Sequence, residues 1–124
     1  DGLLHALSHC ALVAREANIY VLDGVCLDLA NPEIYQVQCE QGRLLGFDGK
    51  TLIHPSQIAT ANAVFAPSDD DVERAQNIMT AWNEALARGD GLCVLNGKLV
   101  ENLHAEEATR LLALHEQIAA RTHD

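Results

Sequence analysis

Two short segments with the composition of buried strands, separated by one well-marked helix, constrain this chain more than any other feature. Ile19-Tyr20-Val21-Leu22 is continuously apolar and stops at Asp23-Gly24, and Lys50 to Ile53 stops at His54-Pro55. A strand with one wet face alternates apolar and polar residues. A strand covered on both faces need not, and these segments are expected to be of that kind, as in a parallel sheet. Between them, Asn31-Pro32-Glu33 has helix-start chemistry: a capping side chain, a proline where no N–H is needed, and an acid near the positive end of the helix dipole. The helix is predicted to run to about Leu45, with Ile34, Val37, Leu44 and Leu45 facing inward. Gly46 closes it, because the position after a helix favours a residue free to take positive φ. Strand, helix, strand in this order predicts adjacent parallel strands and an α/β fold.

The flanking segments are helical. Leu3 to Ala17 carries a broad apolar stripe made by Leu4, Leu7, Ala11 and Ala14 with Leu3, Leu12 and Val13, and Asn18 is its stop. Val25 to Ala30 is expected to be a loop or a strand extension, and Ser56 to Val64 a short helix broken by Phe65-Ala66-Pro67. Ser68-Asp69-Asp70-Asp71 then opens a long helix that should reach Arg88, with Gly89 and Gly91 ending it. Leu92 to Leu95 and Lys98 to Val100 flank Asn96-Gly97, the strongest two-residue hairpin signal. A last helix is predicted from about His104 to Arg121, burying Ala108, Leu111, Leu112 and Ile118. The expected domains are therefore residues 1–65, of parallel α/β type, and residues 66–124, a helix–hairpin–helix appendage that needs a surface to pack on.

Charge narrows the partners. Eight Lys plus Arg stand against eighteen acids, a formal net charge of -10, which argues against a nucleic-acid surface. No apolar run approaches the roughly 18–20 residues of a membrane span. No basic-then-apolar leader is visible. Cys10, Cys26, Cys39 and Cys93 form no C-x-x-C pair, so reduced thiols in a cytoplasmic protein are expected rather than a zinc site. His5 and His9 are four apart on a helix but lack a third ligand, and His104, His115 and His123 share no ligand spacing.

The motifs in order are Leu22-Asp23-Gly24-Val25, Gly46-Phe47-Asp48-Gly49-Lys50, Ile53-His54-Pro55-Ser56-Gln57-Ile58, Asn62, Phe65-Ala66-Pro67-Ser68 and Asn96-Gly97-Lys98-Leu99-Val100-Glu101. Each alone is weak; their order and spacing together are specific. The chain resembles the citrate lyase beta-subunit family within the HpcH/HpaI aldolase superfamily, and Glu101-Asn102-Leu103-His104 is similar to the malyl-CoA and methylmalyl-CoA lyase branch. The resemblance implies the C-terminal part of a (β/α)8 TIM barrel, its last two strands, followed by a helical extension. On that basis the chain is expected to be a piece of a longer polypeptide, or a short protein that completes its barrel with a partner. It implies a magnesium-dependent carbon–carbon lyase acting on an acyl-CoA thioester of the malyl, methylmalyl, citramalyl or citryl type. The magnesium ligands and the substrate-binding arginine would lie outside this chain. It also implies a homo-oligomer, a trimer or hexamer, with the C-terminal extension contacting a neighbouring subunit. The alternative is a non-catalytic oligomerisation or partner-binding module.

Candidate site residues follow. Glu101 is the catalytic candidate: in the resembling family an acid in this motif reaches a neighbour's site, and a carboxylate there can move a proton on or off the acetyl carbon of a CoA thioester. The plainer alternative is a solvated acid before a helix. Much of the family carries Asp at that position. Asp23, His54, Pro55 and Gln57 are candidates for substrate or CoA binding, since they stand where barrel strands end and such barrels place their chemistry there. Against that, Asp23 can serve to bond neighbouring strands, His54 to pack at a strand end, and Ser56 and Gln57 to cap a helix. Lys50 is the one basic residue of its motif and is a partner for an acid.

Overall fold

A computed structural model describes residues 2–122; His123 lies outside the described residues. The chain divides into two compact units, Asp1–Phe65 and Ala66–Asp124.

In the first unit, helix α1 (Leu4–Glu16) leads through Asn18, at φ 55°, to strand β1 (Leu22–Asp23). Helix α2 (Pro32–Leu45) and strand β2 (Gly49–Lys50) follow, then a 3-10 turn (Pro55–Gln57) and helix α3 (Ile58–Phe65). The two strands pair in parallel, Leu22 opposite Gly49 and Asp23 opposite Lys50. Asp48 N–H to Val21 C=O and Thr51 N–H to Asp23 C=O, both 2.9 Å, lengthen the ladder at either end. Asp48 adds its side chain, Oδ2 accepting from Val21 N–H at 2.9 Å, and Arg15 of α1 reaches Asp48 Oδ1 at 3.3 Å. The core is Cys26, Tyr35, Cys39 and Ala61, with Leu52, Val64 and Phe65 packed against it.

The parallel pairing agrees with the sequence reading, but three expectations need correction. The strands are shorter than predicted and are not covered on both faces: Ile19, Tyr20 and Leu22 are 58%, 77% and 60% exposed. Helices α2 and α3 pack against β2, and nothing among the described residues covers those three side chains. Second, α2 turns a different face inward. It buries Tyr35, Cys39 and Gly42, one position in each of three successive turns, while Ile34, Val37 and Leu44 are exposed. Close seating favours that face: a Cβ on residue 42 would lie 3.0 Å from Asp23 Oδ2, so glycine permits an approach that a larger residue would crowd. Third, Asn31 does not cap α2 with its side chain; its amide donates to Asp28 Oδ2 at 2.7 Å. Gly46, at φ 99°, ends the helix as expected.

In the second unit, helix α4 (Asp69–Ala87) starts with a reciprocal capping box. Asp71 N–H donates to Ser68 Oγ and Ser68 N–H to Asp71 Oδ2, both at 3.1 Å. Strands β3 (Cys93–Leu95) and β4 (Lys98–Val100) pair antiparallel around Asn96-Gly97, whose φ values of 51° and 75° match a type I′ turn. Helix α5 (Asn102–Thr122) closes the unit. Trp82, Ala85, Cys93, Val100 and Ala105 form its core. Helix α5 buries Ala105 and Ala108, while Leu111 and Leu112 are half-buried and Ile118 is exposed. Its fully buried residues are small ones, Ala105 and the predicted Ala108, and not the predicted leucines and isoleucine.

Candidate functional site

The end of β1 gathers more chemistry than any other point in the first unit. Asp23 Oδ2 accepts from Lys50 Nζ at 3.0 Å, and Oδ1 accepts from the following Gly24 N–H at 2.9 Å. Adjacent parallel strands bring Asp23 and Lys50 face to face, and the Lys50 side chain is only 2% exposed. A lysine so deeply buried needs a counter-charge, and removing one partner of such a pair costs about 3–5 kcal/mol. Lys50 thus does what its motif allowed: it pairs with an acid, and that acid is Asp23.

Tyr35, Cys39 and Gln57 lie behind this pair. Gln57 is 3% exposed and uses both ends of its amide. Its Oε1 accepts from Ile53 N–H and its Nε2 donates to Cys26 C=O, each at 3.0 Å, while Tyr35 Oη donates to Gln57 C=O at 3.1 Å. One side chain therefore ties the loop after β1 to the loop after β2. Burial, then the bond to Cys39, pushes the Tyr35 phenol above its ordinary range. Burial also raises the Cys39 thiol, against the opposing pull of Tyr35 and the Lys50 charge. Cys39 is therefore a protonated core thiol and not a nucleophile. Cys26, Cys39 and Cys93 are buried and free, and Cys10 is exposed and free.

His54 and Pro55 stand at the entrance of the 3-10 turn, both exposed. Ser56 N–H donates to His54 Nδ1 at 3.1 Å, and Ser56 Oγ lies 2.8 Å from the same nitrogen. A main-chain N–H can only donate, so Nδ1 carries a lone pair and the ring proton sits on Nε2, an available donor. The structure thus gathers Asp23 with Lys50, and separately ties His54 and Gln57 into the turn after β2. Pro55 opens that turn, where its missing N–H costs nothing.

Glu101, in the second unit, is exposed and sits between β4 and α5. Its carboxylate makes no hydrogen bond or ion pair among the described residues. Its main-chain N–H donates to His104 Nδ1 at 3.0 Å. His5 and His9 stack with ring centroids 6.5 Å apart, and among the described residues no group of three or more His, Cys, Asp or Glu side chains is placed to hold a metal ion. The sequence reading missed Gly42, Tyr35 and His104. A glycine inside a helix flags a close approach, and a side-chain acceptor three residues after a capping position flags a reach back to it; both signals are present.

A parallel strand–helix–strand unit with polar side chains gathered where its strands end places the first unit in the α/β class. Residues 1–55 match the family described as HpcH/HpaI aldolase/citrate lyase. The chain is 47% identical over 114 residues to a (3S)-malyl-CoA thioesterase of Cereibacter sphaeroides, a match covering 92% of this chain and 40% of that protein. It is 37% identical to an L-malyl-CoA/beta-methylmalyl-CoA lyase of the same species, covering 91% of this chain and 36% of that protein. Among solved structures it is similar to CitE from Mycobacterium tuberculosis in complex with magnesium, acetoacetate and coenzyme A. That match has a TM-score of 0.75 at 26% identity and covers 94% of this chain and 42% of the other. The chain thus spans about two-fifths of the length of these curated relatives. No helix among the described residues is long and apolar enough to cross a membrane.

Proposed function

We propose that this chain forms the C-terminal part of a (β/α)8-barrel enzyme that cleaves a carbon–carbon bond in a 3-hydroxyacyl-CoA thioester of the malyl type, in the cytoplasm. On this reading β1 and β2 are the last two barrel strands, and the unit Ala66–Asp124 is the extension that meets a neighbouring subunit of a homo-oligomer. The observation that carries the reading is the parallel register of β1 and β2, which sets Asp23 and the turn at His54 where both strands end. The match to relatives named for malyl-CoA, which spans over nine-tenths of the chain, supports it.

The chemistry asked of the chain is proton transfer and substrate contact. Loss of the hydroxyl proton lets the bond between the second and third carbons of the acyl group break, which leaves an oxo acid and a thioester enolate. The enolate carbon must then gain a proton. Glu101, exposed and unpaired among the described residues, is suited to that transfer. Asp23 and the Nε2–H of His54 offer an acceptor and a donor to substrate; Pro55 shapes the turn and Gln57 holds it. Among the described residues no group of three or more His, Cys, Asp or Glu side chains is placed to hold a magnesium ion; on this reading its ligands come from outside them, and the steps above do not run through it.

The name of the relative that is 47% identical favours a second reading, thioester hydrolysis. Product analysis with malyl-CoA separates the two. Carbon–carbon cleavage yields acetyl-CoA and glyoxylate in equal amounts with no free thiol. Hydrolysis yields malate and CoA thiol. Neither pair of products, from the assembled protein with magnesium supplied, would leave the chain as an oligomerisation module.

A further inference from the structure

We infer that His104 is the positioning residue for Glu101, acting through a neutral imidazole whose Nδ1 accepts the Glu101 main-chain N–H. The inference rests on the reading of Glu101 as the acid. The N–H can only donate, and it lies 3.0 Å from Nδ1, so that nitrogen presents its lone pair and the ring proton sits on Nε2. Glu101 immediately precedes α5, and His104 is the third residue of that helix. That is the position from which Glu or Gln reaches back to a capping residue in a capping box, and histidine takes the same role.

The remaining main-chain group of Glu101 is also held. Its C=O accepts from His104 N–H at 3.0 Å and from Ala105 N–H at 3.3 Å. Upstream, Val100 is buried and pairs across the hairpin with Cys93; downstream, Ala105 and Ala108 are buried. Glu101 is thus anchored on both sides and through both of its backbone polar groups, and only its side chain is free. An acid serving a substrate outside its own unit needs this: a fixed point of departure and a mobile carboxylate. No other described side chain accepts the Glu101 N–H, so the fixed point depends on one imidazole lone pair.

Three measurements test this. Long-range proton–nitrogen correlation in the labelled protein should show His104 with a bare Nδ1 and a protonated Nε2; a protonated Nδ1 overturns the inference. Amide hydrogen exchange at Glu101 should quicken by about 5- to 10-fold in His104→Ala, as for one lost hydrogen bond, and return to within about threefold of wild type in His104→Gln. Unchanged exchange in His104→Ala overturns it. In turnover by the assembled protein, His104→Ala should lower kcat roughly tenfold with KM little changed, and His104→Gln should recover most of that loss. Adding His104→Ala to Glu101→Gln should cost nothing further, because the positioned group is already gone; a fully additive loss makes His104 a general structural residue and sinks the proposal. If Glu101→Gln alone leaves turnover intact, the acid assignment falls. The tautomer and exchange results then decide by themselves whether His104 holds the Glu101 main chain.

Discussion

The two units are nearly equal in length but differ in how their polar groups and apolar surface are distributed. The first unit gathers most of its paired polar groups on or against α2, in the Lys50–Asp23 pair, the Gln57 clamp and the Tyr35–Cys39 contact, and leaves His54 exposed. It also leaves roughly twice as many large apolar side chains exposed as the second, among them Leu22 on its strand and Ile34, Val37 and Leu44 on its helix. The second unit does the reverse. Its core of Trp82, Ala85, Cys93, Val100 and Ala105 is apolar, and its notable polar device, Glu101 with His104, is at the surface. Topology accounts for the difference. A hairpin closes with neighbours in sequence, so the second unit satisfies its strands from within. A parallel pair needs a crossover helix and, for two covered faces, further layers of structure. The strand pairing of the first unit thus depends on residues far apart in sequence, while that of the second depends on a local turn.

Glu101 is where the second unit is proposed to serve the reaction. Glu101→Gln should lower turnover about 10²- to 10⁴-fold with substrate affinity little changed. Turnover within a few-fold of wild type would make Glu101 a surface acid and leave the second unit without chemistry. The next largest effect belongs to the first unit. Lys50→Met leaves the partly buried Asp23 carboxylate without its cation and should cost at most about 3–5 kcal/mol in urea unfolding, while Lys50→Met combined with Asp23→Leu should recover most of it. The single Trp82 lies in the second unit. Its fluorescence transition should therefore move little in Lys50→Met, while the loss of helical signal from the first unit comes early. A common shift of both probes would show that the units unfold as one.

pH sharpens the contrast further. The Cys39 thiol is raised by burial in the folded state, so the folded chain keeps a proton that the unfolded chain has lost. The stability this provides is fully present below the unfolded thiol value, about 8.5, and is lost as pH rises toward the folded value. The slope for one such group is at most about 1.4 kcal/mol per pH unit. Tyr35, raised in the same way, extends the decline above its ordinary value of about 10. Denaturant midpoints measured across the alkaline range should fall, and Cys39→Ala should flatten the thiol part of that fall. The smallest expected effect is local to the second unit: Ser68→Ala removes the side-chain half of the capping box and should cost about 1 kcal/mol by thermal unfolding.

Local chemistry was legible in the sequence because it involves neighbours along the chain. Asn96-Gly97 specifies its turn since both residues tolerate positive φ, Ser68 and Asp71 meet because three residues make nearly one helical turn, and Gly46 ends α2 because it has no Cβ. Parallel pairing was legible too, because an intervening helix leaves two adjacent strands little choice. The tertiary structure alone decided which stripe of α2 turns inward. Ile34, Val37 and Leu44 are the more apolar set, yet Gly42 faces Asp23 and Tyr35 reaches Gln57, and those partners lie 19 and 22 residues away in sequence. It also decided that Gln57 bridges Ile53 and Cys26 and that Lys50 takes Asp23 as its partner. Hydrophobic periodicity measures burial along one element, whereas a buried polar group must find its partner wherever the fold brings one within about 3 Å.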